Sequence, residues 1–437
     1  MKRKIVSILA SFCIAGSAFA FVGCGHEHTF AEDWSKDATH HWHAATCEHT
    51  EEVSDKAEHD YTDDADSTCD TCGYTRVAPI AVWSGETSEL PAEEEGVITI
   101  TNAEQLAGLA QSVNEGTTYE GKTIVLSRHI DLNNKAWTPI GLTHRSSDSN
   151  IKKFMGTFNG NGKSIVGLTN VGYTPTSIEE ETSDLDTYTY GLFGYTENAT
   201  IKNLSVTANI NCNAEGLKGD SVGAIVGYVN KGITMENCTV NGTVNGGFDA
   251  VGGLIGRAYN ASATEKLVVK NCTNNATVIA EFKSAGVVGY VAKNIYMEIS
   301  NCTNAGAIKT TGAIIGATKA AYSAGILNYS WNKDAVQTII ITNNTNSGNI
   351  YNMEQLSVEP GVGNTNSYAT IANTASTLLS TAISSGKTPN YDFRGNTNSG
   401  KVNVAGVEKN AHDVTTTQLY PTYNEADDFN GKTNIVE

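Results

Sequence analysis

The sequence predicts an all-β fold, a right-handed parallel β-helix, and three observations support this prediction. A short apolar phrase bounded by glycines occurs five times, at 190–194, 222–227, 251–256, 285–289 and 312–316. An asparagine-containing phrase follows each copy, and its asparagines are spaced by 34, 34, 30 and 42 residues: Asn203, Asn237, Asn271, Asn301 and Asn343. Each unit also holds Val- and Ile-rich runs too short for helices, separated by Asn-Gly turns. A repeat of about 30 residues built from short strands is typical of stacked β-coils, because one coil alone cannot bury its apolar face.

Stacking would place the five repeated asparagines in one column at a corner of the coil. Their amides are then expected to bond to one another, as in an asparagine ladder. The residue after each asparagine should point inward, which gives the interior column Leu204, Cys238, Cys272, Cys302 and Asn344. Cysteines in such a column act as small hydrophobic side chains rather than as catalytic or metal-binding groups. A disulfide between adjacent coils would be strained in direction.

The repeated phrases resemble a known type of repeat. Gly-Leu-Phe-Gly at 191–194, Gly-Gly-Leu-Ile-Gly at 252–256 and the lead-in at 154–165 look like the GLUG-motif repeats of bacterial surface proteins. Such repeats also occur in the N-terminal regions of immunoglobulin A1-type metallopeptidases and in surface adhesins. The resemblance covers about residues 97–350 and implies a fold and a surface location. It implies no peptidase activity, because the sequence lacks the HExxH metal motif of those enzymes.

The chain begins with a predicted export signal, residues 1–23. A basic start, Lys2 to Lys4, precedes an apolar run from Ile5 to Ala20 and then small residues. The stretch Phe-Val-Gly-Cys at 21–24 resembles the bacterial lipobox, in which Cys24 would carry the lipid, although Phe21 departs from the usual leucine. Cleavage after Ala-Phe-Ala at 18–20, with ordinary secretion, is the alternative. The preferred prediction is a lipoprotein held at the membrane by its acyl chains and facing the extracellular side.

An acidic segment rich in histidine and cysteine follows at 24–78. Residues 25–96 hold nineteen Asp and Glu against Lys36, Lys56 and Arg76, in a chain whose net charge is −18. Phosphates would be repelled by this charge, so nucleic acid is excluded as a partner. A solvated region near the cell surface fits the composition.

The same segment contains a candidate structural zinc site. Cys69 and Cys72 belong to a Cys-x-x-Cys-Gly-Tyr knuckle, a turn that presents two thiolates to one tetrahedral ion. The predicted zinc ligands are Cys47, His59, Cys69 and Cys72, with His43 and His49 as substitutes. With its His-rich stretches at 26–30 and 41–43, the segment resembles the His/Cys-rich modules next to the anchor in surface proteins of anaerobic Gram-positive bacteria and spirochaetes. A disulfide, free thiols or a more open metal-scavenging cluster remain alternatives.

The predicted β-helix occupies 97–407, after an irregular linker at 79–96. A helix that starts with Thr101 as cap and Glu104 as the third residue of a capping box should cover the open first coil. Inserted loops are predicted at 173–189 and 353–391, with a short helix within 370–384. One more coil is expected near 393–402, followed by a polar tail at 408–437.

Two function classes fit this organisation. The preferred one is a non-catalytic surface lipoprotein, a monomer, that displays the β-helix for adhesion or for binding a glycan or a host or neighbouring surface protein. The alternative is a polysaccharide lyase or hydrolase, which would need clustered carboxylates. The acidic residues of the coils are spread about one per coil, and His129 with Asp131 is the one pairing that stands out. The sequence therefore names no catalytic residue.

Overall fold

The computed structural model describes residues 28–37, 39–48, 51–61, 68–75, 81–142, 151–172, 187–212, 218–259, 264–292, 296–315, 318–329, 336–352, 363–369, 371–374, 390–404 and 407–409. Cys24 and His49 lie outside these residues. The chain divides into two compact units, Met1–Ala78 and Pro79–Glu437, called unit 1 and unit 2 below. Among the described residues, no helix is both long enough and apolar enough to cross a lipid bilayer.

Unit 1 contains a small antiparallel sheet in the order β1-β2-β3. Its strands are β1 (Ser35–Lys36), β2 (His40–Ala44) and β3 (Val53–Glu58). Among the described residues of this unit, the buried side chains are His41 and Cys69. The described part of the unit therefore has almost no hydrophobic core, and a domain this small needs another source of stability.

Unit 2 contains one described helix, α1 (Ala103–Glu115). Its strands up to the third repeat are β4 (Ala81–Val82), β5 (Val97–Ile100), β6 (Thr123–Leu126), β7 (Ile130–Asp131), β8 (Thr157–Thr169), β9 (Thr187–Tyr190), β10 (Phe193–Asn211), β11 (Lys218–Gly223), β12 (Val226–Glu236), β13 (Thr239–Asn245), β14 (Gly247–Gly252), β15 (Ile255–Tyr259), β16 (Leu267–Lys270), β17 (Thr273–Asn274), β18 (Thr277–Ala280) and β19 (Lys283–Ala285). The later strands are β20 (Val288–Ala292), β21 (Tyr296–Ser300), β22 (Thr303–Asn304), β23 (Ile308–Thr310), β24 (Ala313–Ile315), β25 (Thr318–Ala324), β26 (Leu327–Tyr329), β27 (Thr338–Thr342), β28 (Thr345–Asn346), β29 (Ile350–Asn352), β30 (Gly363–Ala369), β31 (Ala372–Thr374), β32 (Asn390–Asp392), β33 (Thr397–Asn398), β34 (Val402–Val404) and β35 (Val407–Lys409).

These strands stack in parallel from one coil to the next. β10 pairs in parallel with β12 and β13, and β12 pairs with β15 and β16. A separate face carries β9, β11, β14, β19, β25 and β30 in that spatial order. The apolar residues form one continuous core along the stack. The prediction of a parallel β-helix is confirmed, and the right-handed sense of its coil stays a prediction.

The repeated glycine phrase marks the turn between two faces of the coil, where successive coils touch. A Cβ on Gly253 would stand 2.2 Å from the carbonyl oxygen of Gly286, and a Cβ on Gly286 would stand 2.2 Å from that of Gly325. Atoms cannot approach so closely, so only glycine lets the turns of neighbouring coils stack. The sequence repeat therefore has a steric cause.

The predicted asparagine column lies at one corner of successive coils, as the register of the preceding strands requires. All five asparagines have φ near +54° or +55°, a left-handed conformation that asparagine tolerates better than most residues. Amide-to-amide bonds run along the first coils: Asn203 donates to Asn159, and Asn237 donates to Asn203, both at 3.0 Å. At the far end the Asn343 amide lies against Gly395 instead. Backbone conformation therefore explains the column at least as well as an amide ladder does.

The interior column is confirmed. Leu204, Cys238, Cys272, Cys302 and Asn344 are all buried, and the three cysteines are free thiols. The neighbouring Cys238 thiol and burial together raise the pKa of Cys272 well above its usual value. A thiol that stays protonated and inaccessible is a core side chain rather than a nucleophile.

A second asparagine column, which sequence reasoning missed, lies inside the coil. Amide donors and acceptors link Asn274, Asn304, Asn346 and Asn398 in succession at 2.8, 2.7 and 2.8 Å. Each amide also donates to the carbonyl two residues further on, at 2.9–3.0 Å. Every rung carries the pattern Thr-Asn-x-Ala or Thr-Asn-x-Gly, which is the signal that could have revealed it. Buried amides need such partners because unpaired ones are costly in the interior.

The start of the β-helix differs from the sequence prediction in two details. Part of the predicted linker at 79–96 is ordered, because Ala81–Val82 pairs with β7 and Trp83 is buried. The N-cap of α1 is Asn102 rather than Thr101, and its side chain accepts from the backbone N–H of Gln105 at 2.9 Å. Glu104 instead accepts from Ser84. The N-cap is therefore one residue later than predicted, and Gln105 accepts from the N–H of Thr101 at 2.7 Å.

The predicted insertion at 353–391 also needs correction. β30 pairs with β25, and β31 pairs with β26, so residues 363–369 and 372–374 belong to a coil rather than to a loop or a helix. β32, β33 and β34 then pair with the preceding coil, which confirms the extra coil near 393–402. The greater part of the predicted loop at 173–189, and of the tail at 408–437, lies outside the described residues.

Candidate metal centre in unit 1

A β-hairpin brings two histidines together in unit 1. In the β2–β3 pair, His41 stands opposite Ala57, and β3 ends at Glu58. His59 follows directly, and its backbone N–H donates to the carbonyl of Thr39 at 3.1 Å. The two imidazole rings lie with their centroids 5.6 Å apart. The register of the hairpin, rather than sequence proximity, therefore pairs these residues.

The Cys-x-x-Cys turn is closed by its own backbone. The N–H of Cys69 donates to the carbonyl of Tyr74 at 2.8 Å, and the N–H of Gly73 donates to that of Cys69 at 2.9 Å. Gly73 has φ of +66°, a conformation suited to glycine. Asp70 donates through its N–H to the carbonyl of Asp60 at 3.0 Å, which holds the turn beside the segment after His59.

The hairpin and the turn together gather four candidate metal ligands. One ligand atom from each of His41, His59, Cys69 and Cys72 lies within 4.8 Å of the others. The Sγ of Cys72 is 3.3 Å from Nδ1 of His59, and the Sγ of Cys69 is 3.9 Å from Nδ1 of His41. Zinc binds two thiolates and two imidazoles in a tetrahedron, with bonds of about 2.0–2.3 Å from the ion to each ligand atom. The ligand atoms of such a tetrahedron are separated from one another by distances close to those between the side chains here. The residues present therefore fit a structural zinc ion.

The ligand set differs from the sequence prediction at one position. His41 occupies the place that the prediction gave to Cys47, whose Sγ lies 3.5 Å from Nδ1 of His28 instead. The substitute His43 stacks on Trp34, with ring centroids 3.9 Å apart. The other three predicted ligands, His59, Cys69 and Cys72, lie within the group. Sequence reasoning missed His41 because the choice between His41 and His43 depends on the strand register and on a β-bulge between them.

A second layer of contacts orients His59. Its Nε2 lies 2.9 Å from the carbonyl oxygen of Asp37, which leaves Nδ1 directed at the thiols. The ring also stacks on Tyr74, with centroids 4.4 Å apart. The backbone N–H groups of Thr39 and His40 donate to the Asp37 carboxylate and lower its pKa to about 2. Metal-binding histidines commonly have a carbonyl on the other ring nitrogen, because it fixes the ring and raises its basicity.

The pKa values of the two thiols shift in opposite directions. Burial raises the pKa of Cys69, but hydrogen bonds from the Cys72 N–H and from His59 outweigh it, so the pKa lies below the usual value. Burial and the neighbouring Cys69 raise the pKa of Cys72. Cys69 is therefore easier to deprotonate than Cys72, and the thiolate is the form that binds a metal.

The residues considered for catalysis in unit 2 have structural partners. Nδ1 of His129 accepts from the N–H of Ser164 at 3.1 Å, and burial lowers the pKa of His129. Asp131 accepts from the N–H of Asn133 at 2.7 Å. The two side chains thus bond to different partners and do not form an acid–base pair with each other.

Two acidic side chains in the described part of unit 2 form largely buried ion pairs. Glu197 is 4% exposed and lies 3.0 Å from Lys153 and 2.7 Å from Lys231. Asp249 pairs with Arg257 and, at 2.5 Å, with Lys283. Each carboxylate faces two cations instead of a second carboxylate. Burial raises the pKa of Glu197, but the hydrogen bonds from Lys231 and Lys153 outweigh it and lower that pKa, which disfavours a role as proton donor.

The similarity of this chain to known proteins is slight. No protein-family model matches the chain, and no curated protein matches its sequence. Among solved structures, the chain is similar to the crystal structure of a "putative immunoglobulin A1 protease from Bacteroides ovatus". The identity is 18%, the TM-score is 0.47, and the match covers 73% of this chain and 80% of that chain. A similarity of this size carries no inference about activity.

Proposed function

We propose that this chain is an exported, lipid-anchored surface protein that does not catalyse a reaction. Unit 1 is folded around a structural zinc ion, and the β-helix displays binding surfaces for a glycan or a protein outside the cell. The convergence of His41, His59, Cys69 and Cys72 carries the proposal. In a unit whose described residues bury only two side chains, a bound ion would supply the links that a hydrophobic core supplies elsewhere.

Each of the four residues would bind zinc through one atom. The hairpin would contribute the imidazoles of His41 and His59, and the knuckle would contribute the thiolates of Cys69 and Cys72. Zinc would act as a cross-link between the two, and four protein ligands would close the coordination sphere. A closed sphere has no position for water or substrate, so the ion is structural rather than catalytic.

The surface role rests on the sequence and on the architecture. The export signal and the lipid site at Cys24 favour attachment to the outer side of a membrane. A stacked β-helix offers long, rigid faces, and elongated repeat folds often use such faces for binding. Glu197 and Asp249 form ion pairs with cations, and His129 and Asp131 bond to different partners. Both observations favour a binding protein over a polysaccharide-degrading enzyme. The GLUG resemblance supports the same role.

Metal analysis of the purified chain without its signal tests the proposal. We expect about one zinc ion per chain, as for a single tetrahedral site. His41→Ala should reduce the zinc content at least several-fold, because it removes one of four ligands. His43→Ala is the matched control from the same strand, and it should keep the zinc. Equal zinc content in wild type and His41→Ala, or loss in His43→Ala alone, would contradict the proposed site.

A further inference from the structure

The described cysteines of the two units differ in how accessible their thiols are. Those of unit 2 lie inside the coils and are at most 3% exposed: Cys212, Cys238, Cys272 and Cys302. In unit 1, Cys47 and Cys72 are half-buried, and Cys69 is buried. A dissolved oxidant therefore reaches the thiols of unit 1 before those of the β-helix, because oxidation of a thiol depends on its exposure.

Among the described residues of unit 1, Cys69 and Cys72 are the two thiols placed to react with each other. Both belong to the group of four candidate metal ligands, whose ligand atoms lie within 4.8 Å of one another, and Cys47 lies outside that group. The turn that carries them is closed by its own backbone hydrogen bonds, at Gly73 and Tyr74, and does not need a metal to keep the thiols adjacent. The two sulfur atoms are therefore within a side-chain movement of the S–S bond length of about 2 Å.

A disulfide within this turn would not replace the link that a bound zinc ion supplies. Zinc would join the turn to His41 and His59, which the hairpin contributes. The Cys69–Cys72 bond instead closes a loop of four residues and leaves both histidines untied. A cross-link over so short a loop adds little stability. Because the described part of unit 1 buries only His41 and Cys69, it has little else to hold the hairpin and the turn together.

We propose that unit 1 is an oxidant-sensitive switch, in which the Cys69–Cys72 disulfide and the bound metal exclude each other. The oxidant is a hydroperoxide, and hydrogen peroxide is the simplest member of this class. The more accessible Cys72 thiolate attacks one peroxide oxygen, the O–O bond breaks, hydroxide leaves, and Cys72 becomes a sulfenic acid. The Cys69 thiolate then attacks the Cys72 sulfur, which forms the S–S bond and releases a second hydroxide. Two electrons thus pass from the two thiolates to the peroxide.

The disulfide removes both sulfur ligands, because a metal binds the thiolate form. The oxidised chain therefore loses the ion, and unit 1 opens. Lys36 and Lys56 then lie on an unfolded segment that a protease can cleave. In the sequence, unit 1 separates the predicted lipid site at Cys24 from the β-helix, so cleavage there frees the β-helix from the membrane. The inference rests on the proposed zinc site and lipid anchor, and it adds control over the display of the β-helix.

Hydrogen peroxide treatment of the zinc-loaded chain without its signal tests the inference, with a coloured zinc indicator in solution. We expect about one zinc ion to be released per chain. Trypsin should then cleave unit 1 roughly tenfold faster or more, because cleavage follows the population of the open form. The tryptic peptide 57–76 should become lighter by two hydrogen atoms, since it contains both Cys69 and Cys72. Cys47→Ser is the matched control, and it should release zinc as the wild type does.

A disulfide that links the tryptic peptides 37–56 and 57–76, or loss of the response in Cys47→Ser, would show that Cys47 is the partner and would overturn the inference. The zinc content before treatment separates failure of the switch from failure of the metal centre. A chain purified without zinc refutes both. A zinc-loaded chain that keeps its zinc in peroxide, or that stays resistant to trypsin after losing it, refutes the switch alone.

Discussion

Replacing Asn304 by alanine is expected to lower the free energy of unfolding of the β-helix by roughly 3 kcal/mol or more, at about 1–3 kcal/mol for each buried polar group left without a partner. Asn304 is fully buried, accepts from Asn274, and donates to Gly306 and Asn346. Alanine would leave the amide of Asn274, the carbonyl of Gly306 and the amide oxygen of Asn346 each with one bond fewer. Neither water nor another side chain can replace these bonds in the interior.

The matched control for this change is Asn275→Ala. Asn275 is exposed and donates to Asn241 at 3.0 Å, so it makes the same kind of amide bond on the surface of the same coil region. We expect a cost below about 1 kcal/mol there, because water replaces the lost partner. Urea unfolding gives the free energy of unfolding of both variants. Hydrogen exchange at β22 and β23 is measured as well, because it detects the local opening that a repeat fold can undergo. Equal losses in the two variants would contradict the internal ladder.

Replacing Cys69 by serine is expected to unfold unit 1 while the β-helix stays folded. A structural zinc ion contributes on the order of 10 kcal/mol to the folding of a small zinc-dependent module, and the described part of this one buries only His41 and Cys69. Trypsin should then cleave rapidly after Lys36 and Lys56, which lie in β1 and β3. Chelation of the metal from the wild type should give the same cleavage pattern.

Cys47→Ser provides the control for this change, because Cys47 stands outside the four-residue group. It should bind zinc and resist trypsin as the wild type does. Mass spectrometry of the tryptic products reports both results, and a large fragment from unit 2 should persist in every variant. Protection of unit 1 that survives both chelation and Cys69→Ser would show that another force folds it.

The repeat could be predicted from sequence because it follows from steric and hydrophobic rules that act locally. Glycines are needed where coils touch, as at Gly253, and the inward column through Cys272 follows from alternation along a strand. The parallel fold then follows, because only stacking buries these faces.

Other features depended on register, which sequence alone does not fix. The buried ladder through Asn304 was missed because the repeated Thr-Asn-x-Ala and Thr-Asn-x-Gly turns do not by themselves show that the asparagine faces the interior. The sequence prediction chose Cys47 as a ligand, with His43 as a substitute, and missed His41. A β-bulge between His41 and His43 determines which side chain of β2 faces His59.

X-ray absorption at the zinc K-edge of the purified chain tests the metal centre most directly. If His41, His59, Cys69 and Cys72 bind the ion, the spectrum should fit two sulfur neighbours at about 2.3 Å and two nitrogen neighbours at about 2.0–2.1 Å. A fit with three sulfur neighbours and one nitrogen would restore Cys47 as a ligand in place of His41. A shell dominated by oxygen, or a chain without zinc, would contradict the structural site altogether.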